Sequence, residues 1–133
     1  MAAGDLQFDL VSPERRLASS PAQAVEIPGA DGDLTAMAGH APTVTTLRPG
    51  ILRAQMAGGA KAYVVTGGFA EISGAAVSVL AERAVPLEEA NAAFLNEVLE
   101  AAKAALPAPG SEGRDAGEKL LADVEALKAA LHA

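Results

Sequence analysis

Residues 62–80 read AYVVTGGFAEISGAAVSVL, and this stretch decides the fold class of the chain. It contains three runs of apolar and β-branched residues, at 62–66, 69–72 and 77–80. Gly67-Gly68 and Ser73-Gly74 separate the runs and supply the backbone freedom that tight turns need. We therefore predict three short strands in succession, with Gly67-Gly68 as a hairpin turn.

The same pattern continues on the N-terminal side of this stretch. Leu6, Phe8 and Leu10 alternate with polar residues, which is the period of a strand with one buried face. Further apolar runs lie at 25–27, 44–47 and 51–56, and the turn pairs near them are Pro28-Gly29, Asp31-Gly32, Pro49-Gly50 and Gly58-Gly59. Strands that recur about every 8–12 residues favour a β-sandwich or barrel. No long helical stripe precedes Pro86, which argues against a sheet with crossover helices.

The pattern changes to a helical period after Val85. Pro86 suits the first helical position, and Glu88 and Glu89 would then lie in the first turn, where the helix dipole favours acids. The apolar stripe of this helix comprises Leu87, Phe94, Leu95, Val98, Leu99 and Leu106. The Pro- and Gly-containing run 106–110 is expected to end the helix.

A second helix is predicted after this loop. Asp115 and Glu118 have the spacing of a capping box. The stripe that follows comprises Ala116, Leu120, Val124, Leu127 and Leu131. Two equal helices, each about 27–30 Å long, joined by a short loop indicate an antiparallel hairpin. The predicted fold class is therefore α+β, with an N-terminal all-β sandwich in residues 1–85 and a C-terminal antiparallel two-helix hairpin in residues 86–133.

The composition excludes several classes of function. The chain has 133 residues and a net charge of −7. It contains no cysteine, and this absence excludes disulfides, a thiol nucleophile and a cysteine zinc site. This negative charge repels phosphate backbones and anionic lipid, so we expect neither nucleic acid binding nor direct membrane insertion. We expect no signal peptide, and the longest uncharged stretch, 34–47, is too short to span a bilayer. Any membrane association should come through a partner.

The sequence offers no complete catalytic, metal-binding or cofactor-binding motif. The two histidines, His40 and His132, lack the further ligands that a zinc site needs, and we expect His132 at a helix C-terminus. The run 31–33 begins like a calcium-binding loop, but the later oxygen ligands are missing. Gly67-Gly68 is followed by another strand and not by the helix of a phosphate-binding loop. We therefore expect no cofactor.

The polar residues that stand out lie in residues 29–42. This run carries Asp31, Asp33 and His40 among turn-forming residues. The residues alone leave two interpretations open: an ordinary connecting loop, or a rigid acidic contact surface at one edge of the sandwich.

Several sequence blocks carry a resemblance to a known family. They are VSPER at 11–15, GDL at 32–34, GHAP at 39–42, LRPG at 47–50, YVVTGGFAEI at 63–72 and VLAERA at 79–84. In this order and spacing they resemble the epsilon subunits of F-type ATP synthases, closely over residues 5–86 and in outline over the helices. The resemblance implies a sandwich of about ten strands followed by two helices. It also implies a non-catalytic rotor subunit of the central stalk, which couples proton flow to ATP synthesis on other subunits.

The resemblance further implies which residues meet which partners. The residues that it places at the polar loops of the c-subunit ring are Asp31, Asp33, Gly39 and His40. Those that it places near the gamma subunit are Ser12, Thr43 and Thr45. The alpha and beta subunits are implied as further partners through the hairpin. The complex would hold the chain on the cytoplasmic face of a bacterial inner membrane.

The start of the first predicted helix departs from the family's nucleotide-binding pattern. Nucleotide-binding members open this helix with Ile/Leu-Asp-x-x-Arg-Ala, whereas residues 87–92 here read LEEANA. Glu88 replaces the Asp, and Asn91 replaces the Arg, whose charged bidentate donor Asn cannot reproduce. We therefore expect poor ATP binding. Two alternative functions stay open: a nucleotide-sensing module whose hairpin inhibits ATP hydrolysis, and a small enzyme with its active site in residues 31–40.

Overall fold

The structure of the chain is a computed structural model that describes residues 5–131. The chain separates into two compact units, the first ending at Leu87 and the second beginning at Glu88. The first unit is built from strands and the second from helices. His132, which we expected at a helix C-terminus, lies outside the described residues.

The first unit contains eight strands within the described residues. They are β1 (Leu6–Val11), β2 (Arg16–Ala22), β3 (Ala24–Gly29), β4 (Gly32–Met37), β5 (Thr43–Thr46), β6 (Gly50–Met56), β7 (Gly59–Ile72) and β8 (Ala76–Pro86). Their hydrogen-bonded order is β2-β1-β8-β7-β6-β3-β4, and β5 pairs with β7 outside this path. The pairs are antiparallel except for β1 and β8, which run parallel.

The two longest strands, β7 and β8, belong to both layers of the sandwich. β7 pairs with β6 through residues 59–65 and with β5 through residues 69–72, while β8 pairs with β1 through residues 76–80. Gly67 and Gly68 lie between the two halves of β7 and have φ values of 57° and 96°. This change of partner divides the strands into one layer of β2-β1-β8-β7-β5 and another of β8-β7-β6-β3-β4.

One hydrophobic core lies between the layers. Leu6, Phe8 and Leu10 are fully buried on one side of β1, which confirms the predicted period of two. The rings of Phe8 and Tyr63 are in contact, with their centroids 6.4 Å apart. Val25 on β3, in the other layer, belongs to the same core cluster. The strands of both layers are therefore held by a shared interior.

The prediction that Gly67-Gly68 forms a hairpin turn is wrong. Pairing with β8 continues on both sides of it, since Thr66 lies opposite Arg83 and Gly68 opposite Ala81. Two strands predicted separately, at 62–66 and 69–72, are thus one strand, and residues 5–87 contain eight strands where the resemblance implied about ten. The positive φ values of Gly67 and Gly68 allow a bend within the strand and do not reverse the chain.

The run 29–42 contains a strand that the connecting-loop interpretation missed. Pro28 and Gly29 are the last residues of β3 and do not form a turn. The reversal uses only Ala30 and Asp31, and β4 begins at Gly32 with a φ of 136°. β4 is an edge strand of its layer.

The second unit is built on two helices that begin later than predicted. A single 3-10 turn spans Leu87–Glu89, and the helices are α1 (Ala92–Ala104) and α2 (Arg114–Ala130). Pro86 is not the first helical residue, because it pairs with Tyr63 at the end of β8. The helices have 13 and 17 residues, which correspond to about 20 and 26 Å. They are therefore unequal and shorter than expected.

The helix start predicted at Asp115 also differs. α2 begins after Gly113, which has a φ of 85° and no side-chain capping bond, so Asp115 lies within the first turn. Of the predicted stripe, Val124 and Leu127 are buried, whereas Leu120 is 37% exposed. No helix within residues 5–131 is long and apolar enough to cross a membrane.

Candidate functional site

The turn between β3 and β4 forms an acidic tip, defined here as residues 29–33. Asp31 occupies the two-residue turn, and Asp33 lies on β4 opposite Pro28. Both carboxylate side chains are exposed. The tip is fixed to the end of β5, because the backbone N–H of Ala30 donates to the carbonyl of Thr46 at 2.8 Å.

Arg48 holds both strands of the acidic tip. Its Nη1 donates to the carbonyl oxygen of Gly29 at 2.6 Å, and its Nη2 forms an ion pair with Oδ1 of Asp33. Its backbone N–H donates to the carbonyl of Pro28 at 3.0 Å. Arg48 was not among the predicted site residues. A signal existed, since it is the only Lys or Arg between Arg16 and Arg53.

Gly39 and His40 lie at the far end of β4 from the acidic tip. β4 has six residues, which separates its ends by about 17 Å. The N–H of Gly39 donates to the carbonyl of Gly74 at 2.9 Å, and Nδ1 of His40 lies 2.7 Å from the carbonyl oxygen of Ala41. The four residues implied to face the c ring therefore form two groups.

This separation also bears on the small-enzyme hypothesis for residues 31–40. A histidine activated by a carboxylate needs that carboxylate within hydrogen-bond reach. Asp31 and Asp33 are at one end of β4 and His40 is beyond the other. The described residues also contain no cluster of three or more His, Cys, Asp or Glu side chains that could hold a metal ion. The geometry gives this hypothesis no support.

The residues implied to face gamma lie in one layer but not side by side. Thr43 and Thr45 are half-buried on β5. Ser12 is buried after β1, where its hydroxyl donates to the carbonyl of Arg15 at 3.3 Å. β8 and β7 lie between β1 and β5, so three strand spacings, about 14 Å, separate Ser12 from the two threonines.

An outer apolar patch, defined here as Val44, Phe69 and Leu80, lies on the solvent side of this layer. Their exposed fractions are 70%, 38% and 45%. Phe69 is directly opposite Thr46 on β5 and Leu80 on β8. Apolar side chains of this size, clustered on an exposed sheet face, are typical of a surface that a partner covers.

The sequence contained a signal for part of this patch. Leu80 shares the outward side of β8 with Ser78, while Val77 and Val79 are buried. No such signal existed for Phe69, because its neighbour Ala70 is also apolar and either could have faced the core. The patch borders a cleft of about 400 Å³, lined by Pro42, Thr43, Val44, Glu71, Ile72, Ser73, Ala76 and Ser78.

Asn91, the residue in place of the nucleotide-motif Arg, has a structural role. It is the N-cap of α1, and its Oδ1 accepts a hydrogen bond from the N–H of Phe94 at 3.0 Å. An N-cap side chain of this kind stabilises a helix by about 1 kcal/mol. Glu88 lies in the preceding 3-10 turn and is exposed. The two residues therefore do not form a cationic site.

The basic residues at the start of α2 are paired within the helix. Nε of Arg114 lies 3.6 Å from Oε1 of Glu118, and Nζ of Lys119 lies 2.9 Å from Oδ2 of Asp123. Pairs at this i,i+4 spacing stabilise a helix by a few tenths of a kcal/mol. They also leave little net positive charge on α2 for phosphate or for an acidic protein segment.

Comparisons with known proteins agree with this architecture. The family model for the β-sandwich domain of the ATP synthase delta/epsilon chain matches residues 5–87. The ATP synthase epsilon chain of Fuscovulum blasticum is 63% identical over 130 residues, covering 96% of this chain and 97% of that protein. The epsilon chain of Rhodobacter capsulatus is 55% identical over 125 residues, covering 94% of this chain and 95% of that protein.

Two solved assemblies contain chains of similar structure. One is the Euglena gracilis mitochondrial ATP synthase, described as OSCP, F1 and c ring, with 35% identity, a TM-score of 0.71 and coverage of 96% of this chain and 82% of that one. The other is the central stalk and c ring of the Tetrahymena thermophila enzyme, with a TM-score of 0.68 and coverage of 94% of both chains. Its 13% identity supports the fold alone. The chain therefore belongs to the epsilon chains of F-type ATP synthases.

Proposed function

We propose that this chain is a non-catalytic rotor subunit of a proton-translocating ATP synthase, and that it joins the gamma subunit to the c ring. Its relatives are named as epsilon chains of this complex. The Euglena gracilis assembly that contains a similar chain includes F1 and the c ring. In this role the chain passes rotation between proton flow and ATP synthesis. It is held peripherally at the cytoplasmic face of a bacterial inner membrane by its partners.

The outer apolar patch is the observation that carries the gamma assignment. Val44 on β5 has the most exposed side chain of the patch, whereas the implied gamma residues Thr43 and Thr45 alternate with it and point to the other face of the strand. Phe69 and Leu80 extend the same apolar surface across β7 and β8. Covering such side chains is favourable at roughly 25 cal/mol per Å² of apolar surface removed from water. A partner with an apolar face therefore fits this layer.

The acidic tip supports the assignment of the other partner. Asp31 and Asp33 are exposed on a turn that is fixed by Arg48 and by the bond from Ala30. A tip that is already ordered loses little conformational entropy when it docks. Its exposed carboxylates suit the polar or basic loop of a c subunit, with each exposed ion pair worth about 0–1 kcal/mol.

The gamma assignment is tested by placing a charge in the patch. Leu80→Asp should lower the affinity of the isolated chain for gamma by about 30-fold or more, because a carboxylate would be desolvated in an apolar contact. Met37→Asp is the matched control, since Met37 is 55% exposed on the opposite layer. Calorimetric titration of each variant with purified gamma measures both affinities.

Two results would contradict this assignment. The first is unchanged gamma binding by Leu80→Asp while the variant keeps its thermal unfolding transition. The second is equal loss of binding by Met37→Asp, which would mean that the contact surface is not on the β5 layer.

A further inference from the structure

We propose that Arg48 is a positioning residue that sets the acidic tip for docking, and that Asp31 is the acid presented to the partner while Asp33 acts through Arg48. The proposal rests on the proposed function, since it assumes that the tip meets the c ring. The proposal assigns different roles to Asp31 and Asp33, two acids that the sequence alone does not distinguish.

One guanidinium connects the two strands of the acidic tip. Nη1 of Arg48 reaches the carbonyl of Gly29 on β3, and Nη2 reaches the carboxylate of Asp33 on β4. A single planar group thereby joins the last residue of β3 to a residue just inside β4. Arg suits this task because its donors point in fixed, separate directions, whereas the ammonium of Lys is a single point.

The two acids of the tip differ in their partners. Asp33 has its charge partner in Arg48, although its side chain is 74% exposed. Asp31 is exposed, and the part of the chain that the structure describes gives it no hydrogen bond or ion pair. The pair contributes no net charge, so Asp31 supplies the net negative charge of the tip.

Backbone hydrogen bonds link the acidic tip to β5 and to the residues that follow it. Thr46 accepts the N–H of Ala30 at 2.8 Å, and the N–H of Arg48 donates to Pro28 at 3.0 Å. Gly29 also forms an isolated bridge with Leu47. The backbone on either side of Arg48 is therefore tied to the tip.

Close packing leaves this link little freedom. A Cβ added at Gly29 would lie 2.6 Å from the carbonyl oxygen of Gly32, and one added at Gly50 would lie 2.8 Å from Cβ of Pro28. Pro28 and Pro49 are both buried beside the contact. Within this packed segment, the side chain of Arg48 is the group that reaches outward to the exposed carboxylate.

Hydrogen exchange on the isolated chain tests the positioning role without any partner. Arg48→Met should speed exchange of the Ala30 amide by up to about fivefold, the factor that corresponds to losing an exposed ion pair. Arg53→Met is the matched control, because Arg53 is exposed on the neighbouring strand β6 and has no partner among the described residues. Unchanged exchange in Arg48→Met, or equal acceleration in Arg53→Met, would overturn the proposal.

Adding the purified chain back to membranes stripped of this subunit tests whether Asp31 and Asp33 have different roles. The measured quantity is the chain concentration that half-restores ATP-driven proton pumping. Asp31→Asn should raise it by about 1.4- to 5-fold, both with Arg48 present and in the Arg48→Met background. Asp33→Asn should raise it only with Arg48 present, because its effect passes through that residue. An Asp33→Asn effect of equal size in both backgrounds would refute the inference.

The double variant Asp31→Lys with Asp33→Lys separates failure of the inference from failure of the proposed function. It reverses the charge of the tip, so undiminished pumping would refute c-ring docking at the tip altogether. Impaired pumping by this variant, together with no effect of Arg48→Met, would refute the positioning role and leave the docking assignment standing.

Discussion

Single residues in this chain are constrained mainly where backbones approach one another. Gly67 and Gly68 both have positive φ, a region that side-chain-bearing residues rarely adopt. A Cβ at Gly68 would also overlap the carbonyl oxygen of Leu80 on β8. Glycine is therefore required there by the neighbouring strand as well as by the dihedral angle. The turn that the sequence suggested at this pair is absent, but the need for glycine is real.

Gly68→Ala should lower the free energy of unfolding by about 2 kcal/mol or more, because it combines an unfavourable φ with a backbone overlap. Gly58→Ala is the control, since an added Cβ at Gly58 has no heavy atom within 4 Å, and its effect should stay within about 0.5 kcal/mol. Urea unfolding of the two variants measures both. Equal destabilisation would contradict the close approach of β7 to β8.

At the level of elements, the sequence predicts whether an element is a strand or a helix better than it predicts where that element begins and ends. The alternation of Leu6, Phe8 and Leu10 identified β1, and the apolar stripes identified two helices. The start of α1 was missed because Pro86 suits a strand end as well as a first helical turn. Asn91, the N-cap of α1, marks the true start, but as a capping signal it competed with the stronger pattern of Pro and acids.

The candidate surfaces were predictable to a similar degree. The turn at Asp31-Gly32 was visible in the sequence, and the resemblance singled out Asp31 and Asp33 as contact residues. Arg48 was missed because its role depends on pairing between β3 and the residues after β5, which lie about 20 positions apart. Phe69 was missed because two adjacent apolar residues do not show which one faces outward.

The helical hairpin is predicted to bind Mg-ATP poorly. Asn91 is engaged as the cap of α1, and Arg114 and Lys119 are each paired with an acid four residues later. Phosphate would have to displace these pairs against a local excess of negative charge. Calorimetric titration of the isolated chain with Mg-ATP should show no saturation in the low micromolar range. A low-micromolar dissociation constant that Asn91→Ala abolishes would contradict this and favour the nucleotide-sensing alternative.

The whole molecule consists of two units with different kinds of surface. Every member of the sandwich core cluster lies between Leu6 and Ala84. The acidic tip and the outer apolar patch are both on this unit as well. We therefore propose that the sandwich folds alone and carries both docking surfaces. The negative charge of residues 86–133, nine acids against four bases, belongs to the helical part.

A chain truncated after Leu87 should unfold in one cooperative thermal transition and keep the gamma affinity of the full chain within about threefold, since it keeps the whole core cluster. Leu80→Asp in the truncated chain should weaken gamma binding as it does in the full chain. A broad, non-cooperative transition would show that the sandwich depends on the helices.

The parallel pairing of β1 with β8 has a consequence for how the chain is made. Gln7 is paired with Ala76, so the first strand meets its partner only after about 70 further residues have been added. A ribosome adding roughly 5–20 residues per second needs about 4–14 s for this. Until then β1 has only β2 beside it, and an isolated two-stranded ribbon is marginally stable at best. The apolar side of β1 is therefore open to chaperones while the chain is nascent, and the sandwich closes only once β8 has emerged from the ribosome.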